Sequence, residues 1–384
     1  MRVTASNSVS LALREIAGSL IFRLVTMLAF SCLLTVPAAG QLAAIPGFPL
    51  QLEMRVLHEP TAFPSAGRMH VYYELYLTNF SSAPLDVHSI EVLDAKTDQP
   101  VAAFEGRSLA VRWQPVGPDA KARELPTGGT AIVFISVHFQ PDSAIPQRLL
   151  HRVITGDRTV EGAAINVHGT RLVVGPPVAG SDWLASDAPG IGSHHWHLIL
   201  IVNGRPQISA RFAIDWKQVH GGVSYAGNKR DVHSYFSYGK PVLAVADGVL
   251  VHTRDGLPDN VPGHLANYHP AVPITLHTIT GNTIVLALGH GLFAHYMHLK
   301  AGSLRVKPGD HVHRGQILAQ IGCSGDAREP HLHFQISTSP DFWAGEGVPY
   351  LIDHYRIVSG SDVTGERARE LPLDNFVVDF GRAD

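Results

Sequence analysis

The chain has 384 residues, a formal net charge of -3 and a charged fraction of only 16%, so it has room for two or three domains with real cores. That balance offers no basic face, and it excludes a nucleic acid or an anionic membrane surface as expected partners. With 36 Gly, 26 Pro and 23 His, the composition points to an all-β chain of short strands and many turns, and the histidines gather after His194.

Residues 1–40 read as a signal peptide. Arg14 and Arg23 precede an apolar run from Leu24 to Val36, and Pro37-Ala38-Ala39-Gly40-Gln41 supplies small residues for cleavage. The run, about thirteen residues, is too short to span a bilayer as a settled helix. The expectation is an exported protein, periplasmic or extracellular, with membrane contact only through this segment. Cleavage leaves Cys323 as the sole thiol, so no intrachain disulfide is expected.

Residues 45–170 carry short alternating runs broken by turn residues. Met69 to Leu77 alternates and stops at Asn79-Phe80-Ser81-Ser82, and Ser89–Asp94 and Thr130–Val137 behave the same way. Such strands at roughly ten-residue spacing predict an antiparallel, immunoglobulin-like sandwich. No catalytic constellation lies here. Residues 171–193, rich in Gly and Pro, read as a linker.

Beyond it, the turn Asn203-Gly204 predicts a hairpin in which residues 194–202 pair with 208–216. More short strands follow at Val242–Val251, Thr283–Leu288, Leu292–His298, Gln316–Ile321 and His331–Ile336. Residues 253–275 read as a surface insert, and 351–384 as a tail that packs on an edge or stays partly unordered.

The chemistry concentrates in His331-Leu332-His333-Phe334 and Tyr296-Met297-His298-Leu299. A strand alternates its side chains, so His331 and His333 share one face. Two imidazoles on one rigid face can bind a metal, or give one ligand and one proton-handling group.

Taken in order, the segments of residues 194–350 resemble the M23 family of zinc metallopeptidases, the lysostaphin-like or LytM-type endopeptidases. Arg211-Phe212-Ala213-Ile214-Asp215 stands in the family's HxxxD slot. Tyr238-Gly239-Lys240-Pro241-Val242 to Val249, Gly281-Asn282-Thr283, His295 to Leu299 and Val306 to Val312 with Gly315-Gln316 follow in family order before the HLHF strand. The resemblance implies an antiparallel β-sheet core with a groove across it. It implies one Zn²⁺ held by Asp215 and His333, with His298 and His331 beside the metal as catalytic groups. Zinc lowers the pKa of a water to about 7. His331 would orient or deprotonate that water, while His298 would hydrogen-bond the developing oxyanion or protonate the leaving amine.

One position departs from the pattern. Where the family places its first ligand histidine this chain has Arg211, and a guanidinium has no lone pair for a cation. The matched set is one ligand short. His195 or His197, from the His194-His195-Trp196-His197 cluster, could supply it across the predicted hairpin, as could His220, His233 or His264. The expected function is an exported zinc endopeptidase acting on peptide bonds of peptidoglycan cross-links or glycine-rich peptides. The alternative is a degenerate, non-catalytic module that binds the wall or regulates.

Overall fold

The twelve-residue strand Arg68–Asn79 (β1) is buried on both faces. Val71, Tyr73, Leu75 and Leu77 enter one core, while Tyr72 and Tyr76 enter another on the opposite side. Its neighbour across the sheet divides in the same way. After Ser89–Asp94 (β2) comes Thr130–Phe139 (β3), antiparallel to β1, which sends Val133 and Ile135 to the first core and Ile132 and Phe134 to the second. With Arg148–Thr155 (β4) and Pro100–Glu105, β2 forms the facing sheet, and Ile90, Val92, Leu149, Val153 and Phe104 close the first core. The expected sandwich is therefore present. Its strand order does not identify it as immunoglobulin-like.

This computed structural model describes residues 48–117, 123–141, 143–156, 158–264 and 267–381. The expected signal peptide, residues 1–40, lies outside the described residues. From Pro49 onward the chain forms one unit.

The second half centres on a ten-stranded sheet. In chain order its members include Trp183–Ser186 (β5), Ile214–Gln218 (β6), Gly248–Arg254 (β7), Asn282–Gly289 (β8), Leu292–Leu299 (β9), Leu332–Ser337 (β10), Tyr355–Ser359 (β11) and Val377–Asp379 (β12). Across the sheet the order is His311–Val312, β7, β8, β9, β10, β6, β5, β12, β11 and Gly365–Arg367. Every neighbouring pair is antiparallel, in agreement with an all-β, sheet-cored architecture. Trp183 and Trp216 are fully buried against it.

Two stretches behave differently from their sequence reading. Residues 171–193, expected as a linker, supply β5. Residues 351–384, expected as a tail that packs on an edge or stays partly unordered, do lie at the edge of the sheet, but as its strands β11 and β12, with Tyr355, Ile357 and Val378 buried. Strands of three to five residues carry too few alternations to stand out from loop sequence. Among the described residues no helix is long and apolar enough to cross a membrane.

Candidate metal centre

The central strands set the geometry by register. Asp215 on β6 lies directly opposite His333 on β10. Met297 on β9 lies opposite His333 on the other side. His331 precedes β10 by one residue and keeps the alternation, so His331 and His333 face the same cleft.

His298 reaches that cleft through a bulge. Asn282 pairs with Leu299 and Ile284 with Tyr296, so Met297 and His298 together oppose Thr283. His298 takes φ +60, a left-handed conformation uncommon for a non-glycine residue. The extra residue turns the imidazole to the face of His331, 4.8 Å away between ring centroids. Without the bulge, strict alternation would leave it on the face of Tyr296, which is core: its hydroxyl accepts the Val245 N–H at 2.9 Å.

The predicted hairpin is shorter than expected. Leu200–Val202 pairs only with Arg205–Gln207 around Asn203-Gly204, both at positive φ as a tight I′-type turn requires. Residues His194–His197 are not its continuation but a single helical turn (α1). The Asp187 carboxylate accepts the His194 N–H at 2.8 Å, and Trp196 is wholly buried, which folds the segment back. α1 nonetheless delivers His195, whose Nε2 stands 3.6 Å from Asp215 Oδ1. His197 goes elsewhere, stacked on Phe134 at 3.9 Å with Nε2 donating to the Ile191 carbonyl.

Arg211 does not contact Asp215. Its guanidinium is buried between Glu74 (2.8 Å) and Glu346 (2.7 Å). Removing one member of such a buried set strands the others, at about 3–5 kcal/mol. Of the other histidines considered, His264 lines the cleft, His220 lies beside Asp182 and Phe236, and His233 beside Asp231.

Hydrogen bonds fix the ring tautomers. Carbonyl oxygens only accept, so the Nδ1–H of His195 goes to Asp187 O (2.9 Å), that of His298 to Ser324 O (2.8 Å) and that of His331 to Glu329 O (2.8 Å). In each neutral ring Nε2 is left as a lone pair. His333 is reversed. Gln335, oriented by donating to Ser209 Oγ, accepts from His333 Nε2 at 3.0 Å, so Nδ1 carries the lone pair and faces Asp215 Oδ1 at 3.0 Å. Sequence reading missed Gln335 and Asp187. Gln335 was within reach, since it continues the alternation of His331 and His333.

Three imidazole lone pairs thus converge on a carboxylate, acceptor against acceptor: those of His195 and His333 at Oδ1 and that of His331 at Oδ2. The ligand atoms of His195, Asp215 and His333 lie within 4.8 Å of one another, all three residues buried. Two nitrogens and one oxygen in a buried cluster are a donor set that fits zinc. The electrostatics agree. Burial opposes ionisation of Asp215, but the imidazoles of His331 and His195 and the contact with His333 hold its carboxyl well below the usual range. Burial pushes His195 down to about 4 against the pull of Asp215. It also lowers His298, aided by His331 and His333, and His331, opposed by Asp215. These rings are neutral near pH 7, as ligands and proton acceptors must be.

The centre lies in a cleft of about 800 Å³ that continues, through Thr280, Met297 and Phe342, into a second of about 480 Å³. Lys217, two residues beyond Asp215, lines the first and pairs with Glu329 at 2.8 Å.

Residues 228–343 match the model of peptidase family M23. The glycyl-glycine endopeptidase ALE-1 of Staphylococcus capitis is 31% identical over 137 residues, 34% of this chain and 32% of its own. Peptidoglycan DD-endopeptidase ShyA of Vibrio cholerae is 27% identical over 135 residues, 35% of this chain and 26% of its own. Lysostaphin of Staphylococcus simulans is 29% identical over 136 residues, 35% of this chain and 22% of its own. The chain therefore spans a third or less of the curated relatives it matches. Among solved structures, the catalytic domain of lysostaphin from Staphylococcus simulans is 22% identical with a TM-score of 0.22, covering 41% of this chain and 80% of that one. The likeness to peptidase family M23 is shown, and the stretch that carries it, residues 228–343, is the one that supplies His298, His331 and His333.

Proposed function

We propose that this chain is a zinc-dependent endopeptidase that hydrolyses peptide bonds in peptidoglycan cross-links or glycine-rich peptides, with residues 194–350 as its hydrolytic domain. The observation that carries this reading is the convergence of the His195, Asp215 and His333 acceptor atoms in a buried cluster at the floor of a cleft. Asp215 Oδ1, His333 Nδ1 and His195 Nε2 are the proposed ligand atoms, with His195 in the role that Arg211 cannot fill.

Zinc held there supplies Lewis acidity toward a peptide carbonyl and acidifies water. The protein does the rest. His331 Nε2 is a bare acceptor 3.4 Å from Asp215 Oδ2, placed to take the proton of an attacking water and to be held as imidazolium by that carboxylate. His298 is also a bare acceptor, because its Nδ1–H is engaged by Ser324 O. It can therefore donate to an oxyanion or a leaving amine only after receiving a proton. The cleft and its extension accommodate an extended peptide on either side of the reacting bond.

Export to the periplasm or cell exterior, expected from residues 1–40, would bring this centre to the wall. The competing reading, a degenerate binding module, rested on Arg211. The engagement of Arg211 by Glu74 and Glu346, with His195 beside Asp215, favours the hydrolase reading over it.

The test is digestion of purified peptidoglycan and glycine-rich peptides by the full-length protein, read as new amino termini by mass spectrometry. Cleavage that stops with a chelator and returns with zinc is the expected result. A folded, zinc-loaded protein that releases no new amino terminus from either substrate contradicts the proposal.

A further inference from the structure

Asp187, just past β5, holds the start of α1, and the rest of the grip comes from a sheet that does not carry the metal centre. Glu74 lies mid-way along β1 on the face turned away from the sandwich core, and it is almost fully buried. Its Oε1 accepts the indole N–H of Trp196 and the Arg211 Nε–H at 2.9 Å, while Oε2 accepts Arg211 Nη2 at 2.8 Å. Tyr72, on the same face of β1, stacks on Trp196 at 4.9 Å with rings 11° apart. Phe134 of β3 meets Trp196 edge-on at 5.4 Å and lies flat on His197 at 3.9 Å.

A helical turn of four residues has no stability of its own. Its orientation has to come from tertiary contacts, and the two residues after His195 are both held by the sandwich. The bidentate Glu74–Arg211 pair fixes the carboxylate as a planar acceptor, and a buried indole N–H needs such a partner. Arg211 is in turn neutralised by Glu346, whose other oxygen meets His58 Nε2 at 2.9 Å.

We infer that Glu74, with Tyr72 and Phe134, is a positioning device for the His195 ligand, acting alongside Asp187, so that the N-terminal sandwich is an integral part of the metal centre. This rests on the reading of His195 as a zinc ligand. Arg211 then acts as the bidentate partner that holds the Glu74 carboxylate oriented toward Trp196. Ligand nitrogens tolerate only tenths of an ångström of displacement, so a loosened α1 weakens metal binding while Asp215 and His333 stay in place.

Zinc affinity of the full chain, measured by competition with a chromophoric chelator and alongside the melting temperature of the zinc-free protein, tests this. Glu74→Gln is expected to weaken zinc about ten- to hundredfold, the usual effect of a group that orients a ligand. His195→Ala weakens it at least as much, and Glu74→Gln causes no further loss in the His195→Ala background. Wild-type affinity in Glu74→Gln, or losses that multiply in the double variant, overturns the inference. Trp196→Phe keeps the ion pair and the stacking but removes the N–H, and it replaces Glu74→Gln if that variant does not fold. About a fivefold weakening is expected, and unchanged affinity there overturns the inference too. If His195→Ala itself binds zinc like the wild type, the ligand reading underneath has failed instead.

Discussion

Asp215 and His333 reach the metal centre from adjacent strands, opposed in register, whereas His195 reaches it from one helical turn held by Asp187 and by side chains of another sheet. On the first side, backbone hydrogen bonds on both flanks of β6 and β10 set the distance between ligands. On the second side the backbone contributes one contact, the Asp187 carbonyl that accepts the His195 Nδ1–H at 2.9 Å, and side-chain packing does the rest. A ligand placed by register tolerates most changes around it, while a ligand placed by packing depends on every member of the Glu74, Trp196 and Arg211 set.

The sharpest way to break this comparison is to strike the sheet side. Asp215→Ala removes the carboxylate among the three proposed ligands, so bound zinc is expected to fall to about a tenth or less of the wild-type content. Hydrolysis falls at least about a thousandfold, roughly 4 kcal/mol of barrier. Retained zinc in that variant would mean that the carboxylate is not a ligand. His298→Ala and His331→Ala come next and separate ligation from proton handling. Zinc content stays near the wild-type level while kcat drops about 10²- to 10⁴-fold with little change in KM. Zinc lost together with kcat would make either residue a ligand.

The other side can be probed through the sandwich that holds α1. His151, buried and hydrogen-bonded to the Tyr73 hydroxyl at 2.8 Å, is pushed down to about 4 by burial. His70 is likewise lowered to about 4 by burial, against the pull of the Ser65 carbonyl. A histidine depressed below its unfolded value of about 6.5 contributes stability that is full above that pH and is lost as the pH falls toward 4. The loss is about 3 kcal/mol for His151. Melting temperature should therefore fall between pH 6.5 and 4, less steeply in His151→Gln, and an equal slope in both would assign the acid weakness elsewhere. The smallest effect belongs to Tyr296→Phe, which leaves the buried Val245 N–H without its acceptor. Denaturant unfolding should show about 1 kcal/mol of lost stability and no change in zinc content.

Legibility in the sequence follows the same division. The long strands, Arg68–Asn79 and Asn282–Gly289 among them, carry enough alternation to be read directly. So does the shared face of His331 and His333. The bulge at His298 was not readable, because one inserted residue changes the face without changing composition. β5, β11 and β12 were too short to separate from a linker and a tail. His195 and His197 were equal candidates in the sequence. Only packing separated them: Trp196 docks on Tyr72, which turns His195 inward and leaves His197 against Phe134. The fate of Arg211 depended on Glu74, 137 residues away, a pairing that no local pattern encodes.

The most direct measurement is anomalous X-ray scattering at the zinc edge from crystals of the full-length protein grown with zinc. A single strong peak is expected about 2.0–2.2 Å from Asp215 Oδ1, His333 Nδ1 and His195 Nε2 together. A peak bonded to Asp215 and His333 but beyond reach of His195, or no peak in that cleft at all, would contradict a metal centre shared between the two sheets.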